Sequence, residues 1–235
     1  MTTHSQISIL FIVFQLLILQ TKANAQQDIT LDEVEKAYLG DFTITANAIY
    51  KYYPDFDRGP ASDSLNSFMA MNGSDYYFKI AEFELVQQGQ YSLTADNDAK
   101  AIELNKGVNE KSSLTYGLID NLLEQQNAKL SEFSTGDESL IGLRIKYENS
   151  DIVHADLYID KQTHFIKKCT IKYVEGVDEI KHSLNYAKID IIYSDYRKIN
   201  LPLSETKYNL SKFVVISANN IALQSSYKSY HIETN

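Results

Sequence analysis

The sequence predicts an α+β fold that is mostly antiparallel β: a curved, unclosed β-barrel, or half-barrel, with two or three helices covering its concave face. Three observations predict it. Apolar and polar residues alternate over many segments of strand length, turn signals such as Asn72-Gly73 separate these segments, and few segments show helical periodicity. Such alternation places one face of each strand against a core and the other in water. A sheet of roughly nine to eleven such strands normally curls or closes.

Residues 1–25 are predicted to be a signal peptide that is cleaved after Ala25. The segment Ile7 to Leu19 is apolar apart from Ser8 and Gln15, and Ala23-Asn24-Ala25 has the small-x-small pattern that signal peptidase recognises. The apolar run is shorter than the roughly 20 residues of a membrane-spanning helix. We therefore expect Sec-dependent export to the periplasm or another extracytoplasmic compartment, and not an integral membrane protein. One domain is predicted over residues 26–235, and an uncleaved N-terminal anchor is the alternative.

The charge balance and the cysteine count exclude several classes of protein. The chain has 235 residues and a formal charge of −9, from 22 Lys and Arg against 31 Asp and Glu, so it repels a phosphate backbone and is not expected to bind nucleic acid. The sequence also has no run of basic residues of the kind that binds anionic membranes. The single Cys169 cannot form a disulfide within the chain, and its parity with Ile171 predicts a small buried hydrophobe.

The elements follow one another as helix, strand, hairpins, helix and more strands. Thr30 and Glu33 form a capping box that opens a short helix over residues 31–39. A long strand follows, in which alternate residues from Phe42 to Tyr52 are apolar. Further strands are predicted at 65–71, 76–86, 91–95, 99–104, 141–147, 153–159 and 189–193, a second helix at 114–127, and no assignment is made for the tail 207–235.

The segment Leu157 to Tyr173 reads LYIDKQTHFIKKCTIKY and predicts two strands joined by a polar turn. Its spacing of Leu157, Asp160 and Ile166 repeats an earlier spacing of leucine, aspartate and isoleucine at Leu93, Asp96 and Ile102. Two matched hairpins in one sheet would produce this repetition.

No catalytic motif is present. The sequence lacks G-x-S-x-G, H-E-x-x-H and a glycine-rich phosphate loop. His154 and Asp156 share one strand face and could ligate a metal with Asp151 or His164, but a solvated strand face is the simpler and favoured interpretation. We therefore predict no enzyme activity, no catalytic residue, no metal and no cofactor, with an envelope hydrolase as the weakest alternative.

An N-terminal helix after an export signal, a long first strand, successive hairpins, a mid-chain helix and then strands of the type LYIDKQTHFIKKCTIKY together resemble the LolA-like periplasmic carriers of outer-membrane lipoproteins. The resemblance implies an unclosed β-barrel with a helical lid around a cavity for acyl chains. No position matches the functional arginine of that family, so no family site residue is assigned. The composition, which is rich in Tyr, Asn, Lys and Ile and low in proline, resembles that of Bacteroidota envelope proteins.

From this resemblance and the apolar strand faces we predict a non-enzymatic periplasmic carrier or chaperone that binds acyl chains of lipids or lipoproteins in an apolar cavity, for transport to the outer membrane. Burial of each methylene of an acyl chain contributes about 0.8 kcal/mol to the free energy of binding, so a long acyl chain supplies enough for a carrier. The alternative is an envelope scaffold or protein-interaction module of the same fold with a side-chain-filled interior, whose partners are envelope proteins. The predicted cavity residues are Phe42, Ile44, Phe68, Phe78, Ile80, Leu143, Ile145, Leu157 and Ile159.

Overall fold

The structure is a computed structural model that describes residues 33–34, 36–38, 40–54, 59–107, 129–147, 152–173, 187–217 and 220–234. The chain folds into two compact units. Unit 1 comprises Met1–Ala37, Ile49–Leu65 and Leu114–Ser194, and unit 2 comprises Tyr38–Ala48, Asn66–Ser113 and Asp195–Asn235. The predicted signal peptide and the predicted helix at 114–127 lie outside the described residues.

The described residues form fourteen strands. They are β1 (Thr43–Tyr53), β2 (Asp63–Asn72), β3 (Asp75–Ile80), β4 (Phe83–Gln88), β5 (Tyr91–Asp96), β6 (Ala101–Lys106), β7 (Lys129–Phe133), β8 (Leu140–Lys146), β9 (Ile152–Asp160), β10 (Ile166–Tyr173), β11 (Lys188–Ile199), β12 (Val214–Ser217), β13 (Asn220–Leu223) and β14 (His231–Thr234). Residues 33, 34 and 36–38 are helical, in agreement with the helix predicted over 31–39.

Twelve strands join one sheet in the order β14-β6-β5-β4-β3-β2-β1-β11-β10-β9-β8-β7, and β12 and β13 form a separate ribbon. The sheet ends at β14 and β7, so it does not close. The pairs from β2 to β6 and from β7 to β11 are antiparallel, whereas β14 runs parallel to β6. The predicted α+β, mostly antiparallel and unclosed sheet of the half-barrel class is confirmed.

One predicted strand is wrong. The sequence predicts a single return strand over 76–86, whereas β3 ends at Ile80 and β4 begins at Phe83. Ile80 pairs directly with Phe83, and Ala81 takes a positive φ of 46° to make the two-residue turn between them. Neither Ala81 nor Glu82 is a residue that signals such a turn, so nothing in the sequence interrupts the strand pattern at this point.

Strands β7 to β10 and the first part of β11, up to Ser194, lie in unit 1 and form a continuous antiparallel set. The alternating pattern of the sequence places aliphatic side chains on one face of this set and charged or aromatic side chains on the other. The two strands with the cleanest alternation, β8 and β9, pair with Leu143 opposite Leu157. The hairpin predicted over 157–173 is confirmed, since β9 and β10 pair with Leu157 opposite Cys169.

In unit 2, one face of strands β2 to β6 packs against the C-terminal segment, which the sequence left unassigned. This segment contains 3₁₀ turns at Leu203–Glu205, Leu210–Lys212 and Ser225–Tyr227. The buried core between strands β2 to β6 and this segment consists of Ala70, Tyr77, Val86, Leu93, Ala95, Ile102, Leu104, Leu203, Leu210, Phe213, Val214 and Tyr227. Unit 2 therefore has a side-chain-filled core of its own.

Candidate binding site in unit 1

An uninterrupted apolar surface covers one face of strands β8 to β11. Residues directly opposite each other in an antiparallel pair point to the same face, so the register of the strands defines this surface. Every one of its members is at most 1% exposed. We call it the apolar wall: Leu143, Ile145, Ala155, Leu157, Ile159, Cys169, Ile171, Ile189 and Ile191. Four of the predicted cavity residues, Leu143, Ile145, Leu157 and Ile159, thus share one face.

Cys169 lies in the middle of the apolar wall, and its burial confirms the prediction of a small buried hydrophobe. Burial raises the pKa of the Cys169 thiol far above its ordinary value, with a smaller effect from the carboxylates of Asp156 and Asp190. The thiol therefore stays protonated and is not a nucleophile.

At one end of the apolar wall lie two tyrosines whose hydroxyl groups are buried. The hydroxyls of Tyr147 and Tyr173 have no hydrogen-bond partner among the described residues. Burial raises the pKa of both phenols, so both remain O–H donors. The backbone N–H of Tyr147 donates to the carbonyl oxygen of Val153 at 3.2 Å, and Val153 is 42% exposed although it continues the parity of the wall. Hence this end of the wall reaches solvent.

The opposite face of the same strands carries a polar row in which two carboxylates and a threonine are buried. Register places Arg144, Asp156, Thr170 and Asp190 side by side on β8, β9, β10 and β11. Arg144 donates to Asp156 twice, from Nε to Oδ1 at 2.5 Å and from Nη2 to Oδ2 at 2.6 Å. Thr170 donates to Asp190 at 2.7 Å, and Lys168 Nζ lies 3.1 Å from the other carboxylate oxygen of Asp190. Each buried carboxylate is therefore matched by a cation.

The predicted alternative of a metal site at His154 and Asp156 does not assemble among the described residues. Asp156 is held by Arg144, while His154 Nε2 lies 3.6 Å from Asp156 Oδ2. His164 instead lies 3.4 Å from Glu33. No group of three or more His, Cys, Asp or Glu side chains that could hold a metal occurs in the described ranges, and Asp151 lies outside them. Burial lowers the pKa of His154, and its attraction to Asp156 only partly opposes this, so the imidazole is neutral near pH 7.

The other five predicted cavity residues belong to unit 2 and do not share one surface. Phe78 lies opposite Met69, whereas Phe68 lies opposite Lys79, so Phe68 faces the other side of the sheet from Phe78 and Ile80. Phe68 stacks on Tyr208 with ring centroids 4.9 Å apart, in the core of unit 2. Ile44 is buried, and Phe42 is half-buried with Lys198 Nζ 3.5 Å from its ring centroid.

Unit 2 also contains a buried carboxylate and an open pocket that the sequence did not indicate. Glu84 accepts hydrogen bonds from the hydroxyl of Tyr77 at 2.5 Å and from Lys212 Nζ. Unit 2 also has a pocket of about 550 Å³. It is lined by Asp75, Gln88, Gly89, Gln90, Tyr91, Ser204, Asn209, Leu210, Ser211, Val214 and Ile216. Its mixed polar lining differs from the apolar wall of unit 1.

Comparisons with known proteins give structural matches. No family model matches this sequence, and no curated protein sequence matches it. An uncharacterized conserved protein from Thermus thermophilus is similar at 10% identity, with 89% of this chain and 99% of that chain covered and a TM-score of 0.51. At this identity the likeness shows a shared fold.

Two further solved structures are similar to this chain. A putative outer membrane lipoprotein-sorting protein domain from Vibrio parahaemolyticus is 11% identical over 80% of this chain and 99% of that chain, with a TM-score of 0.41. A LolA superfamily protein from Nitrosomonas europaea is 12% identical over 81% of this chain and 100% of that chain, with a TM-score of 0.37. The resemblance predicted from the sequence is to proteins of this kind. No helix in the described ranges is long and apolar enough to cross a membrane.

Proposed function

We propose that this protein is a non-catalytic periplasmic carrier that binds the acyl chain of a lipid or of a lipid-modified protein against the apolar wall of unit 1. One observation carries the proposal: two buried phenol hydroxyls, those of Tyr147 and Tyr173, lie without a partner among the described residues at the end of an apolar face. Protein interiors satisfy the great majority of such donors, because a buried donor without a hydrogen-bond partner costs roughly 1–3 kcal/mol. A ligand with a carbonyl or carboxylate at the end of an alkyl chain would satisfy both.

The chemistry of the wall suits the chain of such a ligand, which has to displace the protein atoms that cover these residues, since each is at most 1% exposed. It presents aliphatic side chains from four adjacent strands, and it contains no charged or hydroxyl-bearing residue. Each ligand methylene that leaves water against it contributes about 0.8 kcal/mol, so a chain of about twelve carbons contributes of order 10 kcal/mol before the cost of ordering it. The exposed Val153 marks the end at which the head group would lie, beside the two hydroxyls.

The predicted export signal supports the periplasmic setting. The apolar segment before Ala25 and its small-x-small pattern are features of a cleaved leader. Transport of acyl chains across an aqueous compartment toward the outer membrane is the role that this setting and this wall together favour. The apolar chain would be shielded from water during transfer, and no bond would be made or broken.

The test compares ligands with and without a polar head group. We expect native mass spectrometry of the protein, expressed from its full sequence, to show a bound lipid, and we expect added dodecanoate to raise its melting temperature. Tyr147→Phe/Tyr173→Phe removes both hydroxyls with little change in shape. It should weaken dodecanoate binding about tenfold or more while leaving the binding of a ligand without a polar head, such as 1-chlorododecane, within a factor of two, since each lost hydrogen bond contributes roughly 1 kcal/mol.

The matched control is Tyr158→Phe, which lies on β9 with its side chain on the opposite face from Leu157. It should leave both ligands unaffected. Absence of copurifying lipid together with no stabilisation by any acyl compound would refute the carrier proposal. The protein would then be better described as an interaction module whose interior is filled by its own side chains.

A further inference from the structure

The open pocket of unit 2 has a lining that is apolar where it is buried and polar where it is exposed. Its two buried members, Leu210 and Val214, are aliphatic, and its exposed side chains are those of Gln90, Ser204 and Ser211. The volume of about 550 Å³ is that of a small-molecule binding site. This pocket therefore suits a ligand that has an apolar surface and polar edges.

Tyr91 supplies the aromatic ring among the lining residues. It lies opposite Gln88 across the two-residue turn between β4 and β5, and its half-buried side chain packs against the core of unit 2. Gly89 takes the first position of this turn with a φ of 54°, which a glycine adopts at little cost. The core thus fixes the position of the ring, which offers a flat apolar surface to a ligand.

Hydrogen bonds between separate parts of the chain hold the pocket in shape. The amide nitrogen of Asn209 donates to the carbonyl oxygen of Ser204 at 2.7 Å, which closes the loop between two 3₁₀ turns. Gln88 Oε1 accepts from the backbone N–H of Leu210 at 2.9 Å and so ties that loop to the turn between β4 and β5. A preformed site loses less free energy in ordering its own groups when a ligand binds.

Several polar groups of the lining remain available to a ligand. No hydrogen bond in the described ranges involves the amide nitrogen of Gln88, the side-chain amide of Gln90, or the hydroxyl groups of Tyr91 and Ser204. Together these groups provide donors and acceptors on uncharged side chains. The ligand that they match carries several hydrogen-bonding groups and no net charge.

The charge and the polarity of the lining disfavour other ligand classes. The lining, all of which lies in the described ranges, contains no Lys, Arg or His, and Asp75 is its one carboxylate, so it offers an anionic ligand no cation. An alkyl chain would leave the amide and hydroxyl groups without partners. A saccharide fits the remaining requirements, because its C–H face packs on an aromatic ring and its hydroxyl groups bond to amide and hydroxyl side chains.

We propose that the pocket of unit 2 binds a neutral saccharide of one or two rings, with a ring face on Tyr91 and hydroxyl groups on Gln90 and Ser204. The inference goes beyond the carrier function and does not depend on it, since the lining residues belong to unit 2 and the apolar wall belongs to unit 1. A short peptide is the competing ligand. Peptides are bound largely through main-chain hydrogen bonds to a strand edge, whereas the available groups here are side chains.

The test is saturation-transfer NMR of the protein, expressed from its full sequence, with three uncharged probes. Chitobiose carries the acetamido groups of cell-wall glycans, maltose carries hydroxyl groups alone, as many glycolipid head groups do, and acetyl-Ala-Ala-Ala-amide represents a peptide. We expect saturation transfer to the C–H protons of at least one disaccharide and none to the peptide. The preference between the two disaccharides then distinguishes the two sources of the sugar.

A pair of exposed side chains tests the pocket without disturbing the core. Gln90→Ala/Ser204→Ala should weaken binding of the preferred disaccharide about tenfold, since each lost hydrogen bond lowers affinity severalfold. Tyr91→Leu keeps an apolar side chain against the core but lacks the flat ring, and it should weaken binding about fivefold. The matched control, Gln162→Ala/Ser64→Ala, removes an exposed glutamine and an exposed serine of unit 1 and should leave binding within a factor of about two.

Three results would overturn the inference: saturation transfer to neither disaccharide, tighter binding of the peptide, or an equal loss of binding in the pocket variant and its control. Dodecanoate separates this inference from the carrier proposal. Gln90→Ala/Ser204→Ala should bind dodecanoate as the wild type does, and Tyr147→Phe/Tyr173→Phe should bind the disaccharide as the wild type does. Failure of saccharide binding with intact dodecanoate binding therefore overturns this inference alone.

Discussion

At the scale of single residues, the aspartates of two turns show most clearly how a side chain fixes the local backbone. Asp160 Oδ1 accepts from the backbone N–H groups of Gln162 and Thr163 at 3.0 and 2.8 Å. Asp96 Oδ1 accepts from Asp98 and Ala99 at 3.0 and 2.8 Å. The repeated spacing in the sequence thus corresponds to two turns with the same hydrogen-bond pattern, which is why that part of the fold could be predicted.

The partners of the buried charges could not be predicted in the same way. Asp156 and Arg144 are ordinary polar residues of alternating strands, and nothing local says that the face they share is buried. Their pairing depends on the register of β8 and β9, a long-range property set by packing. The sequence therefore indicated a solvated face where the structure has a bidentate ion pair.

Glu84 gives a prediction at the scale of one residue. Burial opposes ionisation of Glu84, but hydrogen bonds from Lys212 and Tyr77 outweigh it and lower the pKa of the carboxyl group. A carboxyl group whose pKa is lower in the folded state contributes stability that is present above its unfolded pKa and is lost as the pH falls through its folded pKa. Glu84→Gln should cost about 2 kcal/mol near neutral pH and little at acid pH.

Urea unfolding of Glu84→Gln and wild type at a series of pH values from neutral to about pH 3 measures this. The free energies of unfolding of the two proteins should converge as the pH falls. Glu233→Gln is the control, because Glu233 is exposed and its pair with His231 is weak. Parallel curves for Glu84→Gln and wild type would contradict the role assigned to the buried carboxylate.

At the scale of elements, the alternating strands were predictable and the edge strand β7 was not. Its sequence KLSEF is short and half polar, so it resembles a loop. What holds it is β8: Phe133 lies opposite Gly142, its ring meets Tyr158 edge-on at 5.3 Å, and the guanidinium of Arg144 lies 5.2 Å from its centroid. The C-terminal segment was unassigned for the same reason, because its strands and 3₁₀ turns depend on packing against unit 2.

Gly142, which lies opposite Phe133, gives the prediction at the scale of elements. A Cβ at position 142 would lie 2.5 Å from the carbonyl oxygen of Phe133 and 2.9 Å from its ring. Because the oxygen belongs to the backbone, it can give way only if β7 moves. Gly142→Ala should therefore cost about 1–3 kcal/mol and accelerate amide exchange across Lys129–Phe133.

Hydrogen–deuterium exchange with mass spectrometry reads out this effect. Ser131→Ala, on the same edge strand, should leave exchange in β7 close to that of wild type. If Gly142→Ala exchanges β7 no faster than wild type, the close approach of Phe133 to Gly142 does not hold the edge of the sheet.

At the scale of the whole molecule, the predicted fold class is confirmed, while the prediction of one domain over 26–235 stays a prediction. The nine predicted cavity residues were chosen by strand parity. Parity identifies the buried face of each strand, but it does not show which of these faces lie on the same side of the sheet. Phe68 and Phe78 both lie on apolar positions of adjacent strands, yet register sends them to opposite sides of the sheet. In unit 1 the four predicted residues on β8 and β9 share one face, because these strands pair without a shift in register.

Photo-affinity labelling with a fatty acid that carries a diazirine in its chain tests the central claim most directly. The account predicts that the label, located by mass spectrometry of peptides, falls on β8, β9 and β10, in residues of the apolar wall such as Leu143, Leu157 and Ile171, and that unlabelled dodecanoate suppresses it. Labelling confined to unit 2 at Phe68 or Phe78, or labelling that excess dodecanoate does not suppress, would contradict it.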